Sequence, residues 1–203
     1  MRIKSVVSLL ILLVAGQNIS KAQTAVEHPN QVSLNTGLTL SGVLLNRLFE
    51  SSDSVKYSLN SSAPAQLTYQ RDLAPWFRLG ITYSRQTFDL HFDQYIDETG
   101  ILQTGDFDAT FKRSNIMLKP SVVKSWDRFE VFVGGRVGVG AWKVNVDSDK
   151  LSLKFINRIN GLVLPSVGGF AGAQMFLTEN IGVNAELNLG APHLLSVGLA
   201  ARF

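Results

Sequence analysis

The chain contains no cysteine, which excludes disulfides, thiolate metal sites and a lipid anchor on an N-terminal cysteine. Charge is also scarce. Only 17% of the 203 residues are Asp, Glu, Lys or Arg, where a soluble surface alone normally carries about a quarter to a third. Histidine occurs three times, at His28, His91 and His193, so little of the sequence is suited to imidazole chemistry. Long hydrophobic runs are missing too. The longest, Val6 to Ala15, falls well short of the roughly 20 residues a membrane-spanning helix needs.

That run has its own explanation. It follows the basic start Met1-Arg2-Ile3-Lys4 and precedes Ser20-Lys21-Ala22, which offers small residues where a signal peptidase reads them. Residues 1–22 are therefore predicted to be a cleaved secretory signal peptide rather than an uncleaved anchor. Arg2, Lys4 and Lys21 lie within it, and without them the basic residues equal the acidic ones. A formally neutral chain lacks the basic face that nucleic acid requires, so nucleic acid is excluded as a partner. If such a chain enters a membrane it does so as a closed barrel, because only helices and closed barrels satisfy every backbone group there.

What the sequence does have is alternation. After a short periplasmic leader at 23–30, residues 31–203 read as eight stretches in which apolar and polar or small residues take turns. They run about Gln31–Leu44, Ala65–Leu73, Trp76–Phe88, Thr110–Lys124, Phe129–Val146, Leu162–Leu177, Ile181–Gly190 and Leu194–Phe203. Each is near or above the roughly 9–11 residues that a tilted strand needs to cross a bilayer. The expected fold is all-β, an eight-stranded antiparallel up-and-down transmembrane barrel. Connections at 72–75, 125–128 and 178–180 are short and those at 45–64, 89–109 and 147–161 are long, the asymmetry of periplasmic turns and extracellular loops. Pro120 cannot donate to a ladder, so a local irregularity is expected beside it.

The two faces differ in kind. One is continuously apolar. The other is glycine-rich and carries few charges of mixed sign: Arg78, Glu130, Arg136, Glu186 and Arg202. Such a set suits a narrow polar lumen in which charges pair across the interior. Eight strands enclose only enough space for side chains to fill, so these groups are expected to form a plug rather than a conduit. Trp76, Phe77, Trp126, Phe129, Phe176 and Phe203 cluster by the short turns, and Phe88, Phe107, Phe111 and Trp142 toward the long connections. They are read as two interfacial bands.

Candidate chemistry is thin. Asp89, His91, Asp93 and Asp97 alternate within the second long connection, and converging carboxylates are ligands for Ca²⁺ or Mg²⁺. The plainer reading, a solvated acidic loop, is preferred, so no metal is assigned. His91 beside Asp89 or Asp93 could imitate an acid–base pair, but no catalytic residue is assigned. The His-x-Ser-Asn pattern of the outer-membrane lipid deacylases is absent, since His91 is followed by Phe92-Asp93-Gln94. Gly134-Gly135-Arg136-Val137-Gly138 lies inside an alternating strand, not between strand and helix, so it is not a phosphate loop. No cofactor is expected.

The last strand, ending on Phe203, resembles the signal by which barrel-assembly machinery recognises its clients. With the hairpin pattern and a signal peptide at Lys21-Ala22-Gln23, the chain resembles the small eight-stranded outer-membrane barrels of the OmpX and OmpA-barrel kind, including the PorT-type group of Bacteroidota. That resemblance implies the outer membrane as location and no enzymatic activity. It implies a structural or surface-interaction role, with outer-membrane lipid, lipopolysaccharide, the assembly machinery and a surface or periplasmic protein as partners. A narrow channel or small-hydrophobe transporter, and a lipid-modifying enzyme centred on His91, are the alternative readings.

Overall fold

The computed structural model describes residues 28–39, 57–96, 102–147, 161–190 and 193–203. The expected signal peptide and most of the leader lie outside these. The described residues are almost entirely strand: β1 (Asn30–Leu38), β2 (Tyr57–Ser61), β3 (Ala65–Ala74), β4 (Phe77–Ile96), β5 (Leu102–Trp126), β6 (Phe129–Asp147), β7 (Val163–Phe176), β8 (Ile181–Gly190) and β9 (Leu195–Arg202). Among them no helix is long and apolar enough to cross a membrane, which says nothing of crossing by strands.

Eight strands close into an antiparallel barrel. Neighbours run β1, β3, β4, β5, β6, β7, β8, β9 and back to β1. The closing seam pairs Leu34 with Leu199 and Val32 with Ala201. At its short-turn end, Asn30 and Phe203 exchange backbone hydrogen bonds of 3.1 and 2.9 Å. Closure leaves no open edge within the paired region, the condition for placing a sheet in hydrocarbon.

The ninth strand corrects the reading of 45–64 as one long loop. β2 pairs with Phe88–Phe92 of β4, directly beyond the part of β4 that pairs with β3. β2 therefore continues the line of β3 across a break at 62–64. Ser62 spans the break by exchanging hydrogen bonds with the backbone of Thr87. The second long connection is likewise mostly strand. β4 and β5 stay paired up to Ile96 and Leu102.

At the other end the turns are tighter than expected. β3 runs through a bulge at Asp72–Ala74, and Pro75-Trp76 make the turn. Asp72 is thus a strand residue, not a turn residue. Asp127 and Arg128 join Trp126 to Phe129, with Asp127 at φ 31°. A two-residue hairpin demands positive φ there, which Asp tolerates better than most residues. Around Pro120 the β5–β6 ladder is interrupted between Leu118↔Val137 and Ser121↔Gly134, yet the register is the same on both sides. Two residue pairs, Lys119 with Arg136 and Pro120 with Gly135, drop out of the ladder, and nothing shifts.

The barrel is inside-out. Exposed positions carry leucine and valine, with Leu34, Val137, Val167, Leu187 and Leu199 all more than half exposed. Buried positions carry Gln66, Thr68, Thr82, Gln174, Asn188 and Lys119. Among the described residues only Val123, Phe132 and Phe170 form a hydrophobic cluster inside. The interior is instead a hydrogen-bonded lattice. Gln31 donates to Gln174 at 2.5 Å, Asn35 to Asn184 at 2.6 Å, and Gln70 to Gln31 at 3.1 Å. Such pairing offsets much of the cost of burying polar groups.

Candidate functional site

The lumen is where charge converges. Alternation turns Arg78 of β4, Lys119 of β5, Glu130 and Arg136 of β6 and Glu186 of β8 inward, and all five are buried. They form two clusters. Near the short turns, Arg78 Nε donates to Asp72 Oδ1 at 2.5 Å, and its Nη2 donates to Asp72 Oδ2 and Glu130 Oε2, both at 3.1 Å. Higher in the barrel, Glu186 accepts from Lys119 through Oε1 and from Arg136 through Oε2. Arg136 also donates to Asn188 Oδ1 at 2.7 Å.

Three cations therefore meet three carboxylates, and the plug is neutral. Aromatic rings fill the space between the pairs. Lys119 Nζ lies 4.6 Å from the Phe170 ring centre and 5.3 Å from that of Phe132, and the Arg136 guanidinium lies 4.9 Å over Phe170. Cations over ring faces gain about 2 kcal/mol or more when desolvated. Glycines make the room. A Cβ on Gly172 would sit 2.5 Å from Phe132, and one on Gly134 would sit 2.8 Å from Phe170. Gly134 of β6 and Gly172 of β7 thus leave space for the rings, while Gly138 of β6 lies against the backbone of Ile116 and Met117.

Of the five charges expected in the lumen, Arg78, Glu130, Arg136 and Glu186 join the two clusters. Arg202 stands apart. It covers Phe176 at 3.8 Å and donates to the Glu179 carbonyl at the short-turn end. There a cavity of about 370 Å³ opens, lined by His28, Asp72, Arg78, Glu130, Phe176 and Arg202 among others.

Two members of the plug escaped sequence reading. Lys119 lies on the same face as Met117 and Ser121, so its phase alone places it inside. Asp72 was assigned to a turn. Buried His193, in the β8–β9 connection, was also missed; its Nε2 lies 3.3 Å from the Pro64 carbonyl.

The acidic candidates do not converge in the lumen. Asp89 and His91 point outward from β4, as their alternation requires. Asp89 accepts from Thr110 at 2.8 Å, and His91 Nδ1 lies 2.7 Å from Asp108 Oδ1. Asp93 belongs to β4, and Asp97 lies outside the described residues. Among the described residues no group of three His, Cys, Asp or Glu could hold a metal ion.

The aromatic bands are half right. Trp76, Trp126, Phe129 and Phe203 are exposed around the short-turn end, with Trp126 and Phe129 stacked at 6.0 Å. Phe176 is buried beneath Arg202 and belongs to the interior. At the other end Phe88 is buried and stacks on Trp142 at 6.3 Å, with Arg113 over the same indole. That group packs the upper lumen and is not an interfacial band.

No protein-family model and no curated protein sequence matches the chain. Solved structures similar to it are small outer-membrane barrels. Ail, the attachment invasion locus protein of Yersinia pestis, solved with the heparin analogue sucrose octasulfate, is 12% identical with a TM-score of 0.44; the match covers 87% of this chain and 98% of Ail. The outer-membrane protein OprG of Pseudomonas aeruginosa is 10% identical with a TM-score of 0.48, covering 86% and 90%. Neisserial surface protein A is 11% identical with a TM-score of 0.41, covering 86% and 97%.

Proposed function

We propose that this protein is an integral outer-membrane β-barrel with a sealed lumen, which acts through the surface it presents above the membrane and not through catalysis or conduction. One observation carries the reading: the exchange of polarity between wall and interior. In water, a wall of exposed leucine and valine would be a large aggregation hazard. In lipid it is the solvated face, and the buried amides and ion pairs are the part that lipid must not touch.

Sealing follows from the plug. Lys119, Arg136 and Glu186 come from three strands and meet across the interior, with Phe132 and Phe170 packed against the cations. The exposed His91–Asp108 pair on the outer wall supports a role in fastening β4 to β5 rather than in catalysis. Placement among the OmpX- and PorT-type barrels of Bacteroidota, export by a signal peptide ending at Ala22 and recognition of Phe203 by assembly machinery belong to the same reading. So do the partners, which are outer-membrane lipid and lipopolysaccharide and a surface or periplasmic protein.

The test is gel mobility of the protein from washed outer membranes, with and without boiling, followed by conductance in planar bilayers. A heat-dependent shift with no stepwise conductance is expected. A soluble periplasmic protein without a shift overturns the membrane reading. A shifted band that conducts in discrete steps overturns the sealed lumen and favours the channel.

A further inference from the structure

The outward side chains of β4, β5 and β6 change character by rows, and the registers fix those rows. Tyr83, Ile116 and Val139 lie side by side at the top of the apolar wall. The next row is Arg85, Ser114 and Ala141, and above it stand Thr87, Lys112 and Lys143. Higher still are Asp89, Thr110 and Asn145. Rows two residues apart are separated by about 6.6 Å along a strand. Arg85, Lys112 and Lys143 therefore occupy a shallow basic layer directly on the rim of the apolar wall.

Among the described residues this layer has no counter-charge. Lys112 and Lys143 are directly opposed, an arrangement that destabilises a sheet when nothing neutralises it. Arg85 is a diagonal neighbour of Lys112, roughly 7–8 Å away between backbones. Among the described residues no carboxylate pairs with any of the three. The nearby acids on this wall are engaged elsewhere, Asp89 with Thr110 and Asp108 with His91. Three basic groups converge where a bilayer places its headgroups, with flexible stems that can lie along the apolar wall while their charges reach up.

We propose that Arg85, Lys112 and Lys143 bind the phosphate of an anionic membrane lipid whose acyl chains lie against the β4–β6 wall below. The site rests on the membrane reading above and gives the lipid partner of that reading its binding residues on the wall. Phosphate, rather than a carboxylate on a protein partner, is favoured by position. The layer touches the apolar rim and lies below the acidic rows that a soluble partner would meet first.

The experiment uses the folded mature chain in phosphatidylcholine nanodiscs containing a minor fraction of lipid A, or of lipid A stripped of its phosphates. The lipid retained by the protein is measured after detergent challenge. The expected result is roughly hundredfold enrichment of phosphorylated lipid A, the order reached when three basic side chains near a surface each contribute several-fold. It should fall to the bulk fraction in the triple variant Arg85→Gln, Lys112→Gln, Lys143→Gln. It should persist when Arg71, Lys124 and Arg128 at the short-turn end are changed to Gln. If the triple variant does not give the heat-shifted band, Lys143→Gln alone should lose several-fold. Equal retention of phosphorylated and stripped lipid A, or equal loss in both triple variants, overturns the site. Wild-type protein that does not enter nanodiscs at all overturns the membrane reading instead.

Discussion

The two halves of this barrel obey one rule to different heights. β4, β5 and β6 are 20, 25 and 19 residues long, whereas β7, β8, β9 and β1 are 14, 10, 8 and 9. Over the shared height they are alike, with apolar residues out and polar residues in. β8 ends while still apolar outside, at Leu187 and Leu189. β6 continues past Val139 to Lys143 and Asn145 without changing its alternation. Only the identity of the outward residue changes. On the membrane reading proposed above, the described strands of the short half match the bilayer, and the tall half continues into a different solvent. The two are held together across the lumen, because Lys119 and Arg136 belong to the tall half and Glu186 to the short one.

The largest effect should come from cutting that link. Glu186→Gln leaves Lys119 and Arg136 buried against each other without their shared carboxylate. Breaking a buried ion pair from one side costs about 3–5 kcal/mol. Urea unfolding in micelles, followed by gel mobility, should show a midpoint shift of that size. Adding Lys119→Met should recover part of the loss by removing one orphaned charge. A shift below about 1 kcal/mol for Glu186→Gln would mean that water reaches the cluster, and the sealed lumen would then be wrong.

A second test sharpens the boundary between the shared height and the tall extension. Val137→Arg and Leu199→Arg place a cation on the lipid face of each half, where about 2–4 kcal/mol is lost near the midplane. Asn145→Arg, on the same face of the same strand as Val137, should cost about 0–1 kcal/mol because it stands above the apolar rows. Equal costs at 137 and 145 would remove the boundary on which the comparison rests.

How much of this was legible depended on which solvents a strand faces. β8 spans the wall and stops, so strict alternation gave both its ends, Ile181 and Gly190. The upper parts of β4 and β5 rise past the apolar rows, where outward Asp89, His91 and Asp108 replace leucine and valine, and 89–109 therefore reads as a loop. Asp72 beside Leu73-Ala74-Pro75 has the composition of a turn, and only the bulge carries the strand past it. Lys119 was legible by phase but stands next to Pro120, whose missing donor dominates any local reading. Which carboxylate meets which cation was not legible at all. It depends on the stagger of strands around the barrel, and that is a property of closure rather than of any one segment.

The smallest effect concerns the β8–β9 connection of the short half. His193 is fully buried there against the Pro64 carbonyl, and among the described residues its Nδ1 has no partner. Burial pushes its pKa below the ordinary imidazole value, the Pro64 carbonyl raises it somewhat, and nearby Arg136 opposes protonation while Glu186 favours it. A folded pKa below the unfolded one means that the unfolded chain binds the proton first. Stability is then fully present above the unfolded value, near 6.5, and declines as pH falls below it, until the folded pKa is reached. His193→Gln should flatten that part of the pH profile. It should leave the Glu186 link intact, but because Glu186 and Arg136 act on the His193 charge the two variants' losses should depart from additivity at low pH. A profile unchanged by His193→Gln would assign the acid sensitivity to the carboxylates of the plug instead.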